Sequence, residues 1–198
     1  MRARQTLIVM AKRPVLGRVK TRLAAGIGPV AATAFYRRTL ARTLRLLGDD
    51  PRWRTVVAVS PDTWRPRGWA VLPQGGGDLG ARMARCLNAV PSGPTVLIGA
   101  DIPGVAPAHI ARAFTLLRRH PYVLGPASDG GYWLIGARKP VPRLAPVRWS
   151  SAHALADTTR LLPGVVLGDT LDDVDEPADL RKPAISERCG APRRPFRE

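Results

Sequence analysis

Short apolar runs of strand length alternate with helix-periodic stretches along most of this chain, and that alternation restricts it to a sheet covered by helices on both faces. Residues 6–10 read as a buried strand, followed by a loop at 11–18 that contains Pro14 and Gly17. Pro29 then opens a helix to residue 47, with Tyr36, Leu40, Leu44 and Leu47 along one stripe. Strands are expected at 56–60, 70–73, 95–100 and 122–126, and helices at 79–89 and 107–119. A strand at 131–136 pairs nearby, 150–162 reads as helical, 165–167 as a short strand and 177–181 as a last helical turn. The expected fold class is α/β, a single domain with a mostly parallel, doubly wound sheet. Such sheets bind ligands at the carboxyl ends of their strands, so functional groups belong in the loops there. The domain is expected over residues 1–182, with 183–198, rich in Pro and Arg and without apolar period, as a disordered basic tail.

Composition excludes several classes. With 198 residues the chain suits one core, and apolar stretches of about six residues are too short to cross a bilayer. Arg2 and Arg4 precede an apolar run as in a signal peptide, but Lys12 and Arg13 interrupt it early, so no export signal is expected. Cys86 and Cys189, far apart, suggest neither a disulfide framework nor a zinc site, and a cytoplasmic location is expected. The net charge of +16 raises the question of nucleic acid. However, its 27 Arg and 4 Lys are spread along the whole chain, without interleaved aromatics or a helix-turn-helix pattern, so nucleic acid is not an expected partner. Charge is instead polarised: residues 1–48 hold 11 basic groups and no acid, and residues 169–179 hold six acids and no base. Such polarity suits a site with phosphates at one end and a metal at the other.

Lys12-Arg13-Pro14-Val15-Leu16-Gly17-Arg18-Val19-Lys20-Thr21-Arg22 follows the first strand, where a doubly wound sheet places its phosphate loop. Gly17 permits close backbone approach, and Lys20 and Arg22 suit a diphosphate, Arg as a fork and Lys as a point charge. The segment matches neither a Walker A loop nor GxGxxG, and a solvated basic loop is the plainer alternative. Asp101 ends the most apolar strand, in Gly99-Ala100-Asp101-Ile102-Pro103, so its carboxylate emerges at the sheet's carboxyl edge. There it is a candidate ligand for Mg²⁺ or Mn²⁺, hard cations that bridge substrate phosphates.

Leu171-Asp172-Asp173-Val174-Asp175-Glu176-Pro177 offers a second carboxylate cluster, in which extended alternation puts Asp173 and Asp175 on one face. A cation would relieve their repulsion; Asp175 or Glu176 capping the following turn is the alternative use. Asp129, in a turn with two glycines beside Tyr132 and Trp133, is a candidate acceptor of hydroxyl hydrogen bonds. Trp149-Ser150-Ser151 is read either as lining an acceptor pocket or as a buried Trp followed by a helix cap.

Seven motifs in one order carry a resemblance: Gly17-Arg18-Val19-Lys20-Thr21-Arg22-Leu23-Ala24, Pro73-Gln74-Gly75, Asp78-Leu79-Gly80-Ala81-Arg82-Met83, Gly99-Ala100-Asp101-Ile102-Pro103, Gly125 to Tyr132, Trp149-Ser150, and Asp173 to Leu180. Over residues 6–181 the chain resembles a bacterial family of glycosyltransferase-like proteins of the GT-A, or nucleotide-diphospho-sugar transferase, fold, some members being linked to arsenosugar biosynthesis. The resemblance implies Lys20 and Arg22 at phosphate-loop positions, Asp101 as the metal aspartate, and Asp173 and Asp175 in a C-terminal acidic motif. It also implies base and ribose contacts at Gln74 and the Asp78-Leu79-Gly80 turn. Guanylyltransferases of the same superfamily are similar in the Lys-Thr-Arg-Leu loop and the acidic end, so fold does not settle reaction.

The leading expectation is transfer of a sugar from a nucleotide sugar to a small-molecule acceptor. Lys12, Gly17, Lys20, Arg22, Gln74, Asp78 and Gly80 would bind nucleotide, Asp101, Asp173 and Asp175 the metal, and Asp129, with Lys20, would be catalytic. The alternative is nucleotidyl transfer from a nucleoside triphosphate with release of pyrophosphate. Asp101 stands in Asp-Ile-Pro rather than Asp-x-Asp, which leaves a metal one fewer ligand there and keeps the alternative open.

Overall fold

A computed structural model describes residues 4–90 and 93–181, and the expected tail lies outside them. Seven strands form one sheet in the order β3-β2-β1-β4-β6-β5-β7: β1 Thr6–Lys12, β2 Arg54–Ser60, β3 Val71–Pro73, β4 Thr95–Gly99, β5 Tyr122–Pro126, β6 Tyr132–Ala137 and β7 Val165–Leu167. Neighbours pair in parallel except β6, which runs antiparallel between β4 and β5. The sheet is therefore mostly parallel, as the sequence implies. The interposed position of β6 is not implied by it: β4 and β5, joined by a crossover helix, leave a gap that the chain fills by turning back through residues 127–131.

Alternation along β1 shows why the sheet needs cover on both faces. Leu7, Val9 and Ala11 enter one core cluster with Leu44, Ile110 and Phe114, while Ile8 enters another with Met83, Leu87 and Ile135. Helices α2 (Pro29–Leu47) and α4 (Pro107–Leu116) contribute to the first, and α3 (Leu79–Asn88) to the second, with Leu155 and Leu161 of α5 (Ala154–Leu161) packed against it. Strand boundaries fall within two residues of those expected, and α2 spans the expected residues.

Two local expectations are corrected. Thr21 starts a short helix, α1 (Thr21–Ile27), so the basic loop ends at Lys20. The expected helix at 150–162 begins only at Ala154, because Ser150 has φ 57° and residues 150–153 turn over the β5–β6 connection, where Leu155 N–H donates to Gly130 O. A Cβ on Gly130, itself at φ 84°, would meet Ala152 O at 2.3 Å, so this glycine is what allows the close approach.

A third, small cluster joins the chain's distant ends: Leu23, Ala32 and Phe35 close over Val174, with Ile27 and Leu180 against them. Gly26 makes that fit possible, since a Cβ there would stand 2.3 Å from Pro177 Cγ. Gly26→Val is expected to lower stability by about 1–3 kcal/mol, because Pro177 and the segment it belongs to must shift to admit the side chain. For a chain of this size that is roughly 2–12 °C in Tm. An unchanged melting curve would show that the 173–180 segment is not held by α1.

Candidate active site

The carboxyl ends of β1, β3 and β4 and the connection after β7 converge on one edge of the sheet. Two cavities open there. One, of about 480 Å³, is lined by Lys12, Lys20, Tyr36, Gln74 and Arg82 among others. The second, of about 400 Å³, is lined by Asp129, Trp149, Ser150, Ser151 and Asp173 among others. Arg22, Leu79, Met83, Asp101, Tyr132, Trp133 and Asp175 face both, so the cavities are two lobes of one cleft that meet at Asp101 and Asp175.

Lys20 sits at that junction. Its Nζ lies 2.6 Å from Asp101 Oδ2 and 2.7 Å from Asp175 Oδ1, with 4% of its side chain exposed. Burial alone would lower the pKa of this ammonium, but Asp101 and Asp175 outweigh it and hold the pKa above that of an ordinary lysine. Lys20 has φ 49° and ψ 48°, left-handed backbone that a side-chain-bearing residue adopts at a cost of about 1–2 kcal/mol. The surrounding contacts, with Val19 and Leu23 buried on either side, hold it there.

Asp101, Asp173 and Asp175 each present a carboxylate oxygen within 4.8 Å of the others. Val174, fully buried between the last two, points the opposite way, which is the alternation the sequence suggested. Burial first, then the charge of Asp101, pushes Asp173 up to about 7. Oxygen donors of this charge and spacing fit a hard divalent cation, which would relieve the repulsion among them. The neighbouring acids have structural uses instead. Asp179, rather than Asp175 or Glu176, caps the turn by accepting from the N–H groups of both at 3.0 and 2.9 Å, and Asp172 accepts from Ser128 N–H at 2.8 Å.

The remaining expected site residues divide. Lys12 lines the first lobe, and its backbone is fixed by Tyr36, whose hydroxyl accepts from Lys12 N–H at 2.9 Å and donates to Lys12 O at 3.2 Å. Arg22 faces both lobes from 3.5 Å beside Asp175. Asp129 lines the second lobe, with Oδ1 accepting from Gly131 N–H at 2.8 Å. Ser150 and Ser151 line that lobe as well and cap no helix, since α5 starts after His153.

Gly17, Asp78 and Gly80 line neither lobe. Asp78 caps α3 by accepting from Ala81 N–H at 2.7 Å. Gly80 lets α3 pack closely, as a Cβ there would stand 2.5 Å from Trp149. Gln74 does line the first lobe, but it is 1% exposed and its amide donates to Ala11 O and Ala58 O. Its oxygen accepts from Arg82 Nη2, and so Arg82, absent from the expected site, presents a guanidinium to the lobe. Its place in the Asp78-Leu79-Gly80-Ala81-Arg82-Met83 motif, one turn into α3, is the signal that could have singled it out.

Comparison with known proteins gives this geometry a context. The phosphoenolpyruvate guanylyltransferase of Streptomyces coelicolor (strain ATCC BAA-471 / A3(2) / M145) is 29% identical over 89% of this chain and 88% of its own. A crystal structure from Desulfovibrio desulfuricans G20, designated without a stated substrate as a nucleotide-diphospho-sugar transferase, superposes with a TM-score of 0.77 at 25% identity, covering 92% of each chain. The 2-C-methyl-D-erythritol 4-phosphate cytidylyltransferase of Thermus thermophilus shares the fold at a TM-score of 0.53 and 18% identity, over 96% of this chain and 100% of that one. The fold is thus of the nucleotide-diphospho-sugar transferase type, and the named relatives are transferases. Among the described residues no helix is long and apolar enough to cross a membrane. Residues 31–151, more than half of the chain, match the family described as "Uncharacterized protein conserved in bacteria (DUF2064)", and the chain belongs to that family.

Proposed function

We propose that the protein is a nucleotidyltransferase. A nucleoside triphosphate occupies the first lobe and a small acceptor the second; an acceptor oxygen attacks the α-phosphorus, and the bond from that phosphorus to pyrophosphate breaks. The observation that carries this reading is the buried Lys20 ammonium at the junction of the lobes, the place where a transferred phosphoryl group would lie between donor and acceptor. A fixed cation there stabilises charge that develops on the phosphoryl oxygens without reorganising during the step.

The other roles follow from position. Lys12 and Arg22 hold the β- and γ-phosphates, Arg22 by its fork. Asp129, oriented by Gly131 N–H, takes the proton when the acceptor is a hydroxyl. Asp101, Asp173 and Asp175 would hold Mg²⁺ or Mn²⁺, which when bound supplies positive charge to the triphosphate. The relationship to the Streptomyces guanylyltransferase supports this chemistry.

Sugar transfer is the second reading, favoured by the designation of the Desulfovibrio relative. The two differ in what leaves: pyrophosphate from a nucleoside triphosphate, or a nucleoside diphosphate from a nucleotide sugar. Incubation with each of the four nucleoside triphosphates, Mg²⁺ or Mn²⁺, and phosphoenolpyruvate or glycerol 3-phosphate should release pyrophosphate in a pyrophosphatase-coupled assay. Nucleoside diphosphate released from a nucleotide sugar, with no pyrophosphate from any triphosphate, would replace this reading by the second.

A further inference from the structure

We propose that the Tyr36 hydroxyl is a positioning group for the nucleoside triphosphate: it holds the end of β1 and thereby sets the Lys12 ammonium against the β- and γ-phosphates. The proposal rests on the nucleoside triphosphate reading of the first lobe, and it assigns there a residue that acts through another.

Strand β1 has a neighbour on both sides only as far as Met10. β2 runs alongside it to the end, with Ser60 opposite Lys12, but β4 stops at Gly99, opposite Met10, and the chain leaves the sheet to bring Asp101 to the cleft. Successive residues of a parallel strand direct their backbone groups to opposite neighbours. Arg13 N–H donates to Ser60 O at 2.7 Å, on the β2 side, so the N–H and C=O of Lys12 face the side that β4 has vacated. Backbone groups left there without a partner would be costly at a half-buried cavity wall. Tyr36 partners both: its hydroxyl accepts from Lys12 N–H at 2.9 Å and donates to Lys12 O at 3.2 Å. One residue earlier, on the β2 side, Gln74 Nε2 donates to Ala11 O at 3.0 Å. The last two residues of β1 are thus held from both sides by side chains.

Ring and hydroxyl of Tyr36 do separate things. The ring is buried in the core cluster with Val9, Leu40 and Val59, a task that phenylalanine would perform as well. The hydroxyl alone reaches Lys12. Burial, ahead of every other influence, pushes the phenol up to about 12, so at neutral pH it keeps its proton and remains a donor to Lys12 O. Alternation along β1 puts the Lys12 side chain on the same face as Met10, and both line the first lobe. Unlike Lys20, Lys12 makes no ion pair among the described residues, so its charge is available to an anionic ligand. A lysine ammonium is a point charge on a flexible stem, without the fork by which an arginine orients itself, so its backbone decides where it acts.

The test is calorimetric titration in Mg²⁺ and without acceptor, using whichever of GTP, ATP, CTP and UTP binds most tightly, and its monophosphate. The wild type is compared with Tyr36→Phe, Lys12→Gln and the double variant, with melting curves to confirm folding. Tyr36→Phe is expected to weaken the triphosphate by about 2–150-fold, the span of coupling within one hydrogen-bond network, and to leave the monophosphate unchanged. In the Lys12→Gln background the same substitution should cost nothing further, because the group it positions is gone. Tyr36→Met, which also lacks the hydroxyl, takes its place in the cycle if Tyr36→Phe does not fold, with the same results expected. Additive losses in the double variant, or equal weakening of mono- and triphosphate, would show that the hydroxyl serves the fold at large and overturn the proposal. Triphosphate affinity in Tyr36→Phe equal to that of the wild type would overturn it too. Failure of every nucleotide to bind the wild type would instead remove the nucleoside triphosphate reading itself.

Discussion

Turnover should fall by about 10²–10³-fold when Lys20 is replaced by methionine, the loss associated with removing one preorganised donor from a developing oxyanion. Methionine keeps roughly the length of the buried side chain and removes the ammonium, so the folded cleft is retained with Asp101 deprived of its partner and Asp175 left to Arg22. Lys20→Gly tests the backbone separately. At φ 49° glycine is at ease where methionine is strained, so Lys20→Gly should melt above Lys20→Met, although both lack the charge. The difference should be about 1 kcal/mol, or roughly 2–4 °C in Tm. Activity near the wild-type level in either variant would show that the ammonium is not part of the chemistry.

Asp101→Asn should raise the Mn²⁺ concentration needed for half-maximal rate by at least about 10²-fold. Outer-sphere partners of metal ligands already cost about 10–100-fold in affinity or activity when removed, and a ligand should cost no less. The substitution keeps side-chain size and retains the Lys20 contact to Asp175, so folding should survive. Free Mn²⁺, followed by its paramagnetic signal during titration at fixed nucleotide concentration, separates lost metal from lost chemistry. Metal affinity equal to that of the wild type would place the cation elsewhere and leave Asp101 as a counter-ion to Lys20 alone.

Much of the scaffold is legible in the sequence because burial on both sheet faces leaves a plain mark. A strand such as Thr6–Lys12 is apolar on both sides, and the stripe Tyr36, Leu40, Leu44 repeats at helical period until Leu47. The carboxylates were legible for a related reason. Asp101 follows an apolar strand, and Val174 between Asp173 and Asp175 reveals which way each points once the chain is extended.

What escaped was decided by partners far along the chain. Helix α1 has only seven residues and no capping side chain, so its local signal is weak, and it is the packing of Leu23 onto Val174 and Phe35 that holds it. Strand β6 reads in the sequence only as a strand that pairs nearby, and the space beside β4 decides that it joins β4 to β5. Gln74 stood as a base contact through the resemblance alone, and a motif does not say where the donors of its glutamine go. In the fold, Ala11 and Ala58 take both of its amide protons, and the guanidinium that lines the lobe there belongs to the half-buried Arg82.

The sequence by itself determined the layers, the edge of the sheet where the cleft lies, and the segregation of cations near one end of the chain from acids near the other, because burial and charge pattern are properties of short segments. Only the tertiary structure decided that Lys20 and Asp175, 155 residues apart, meet at 2.7 Å, since nothing local to either carries the packing of α1 on the 173–180 segment that brings them together.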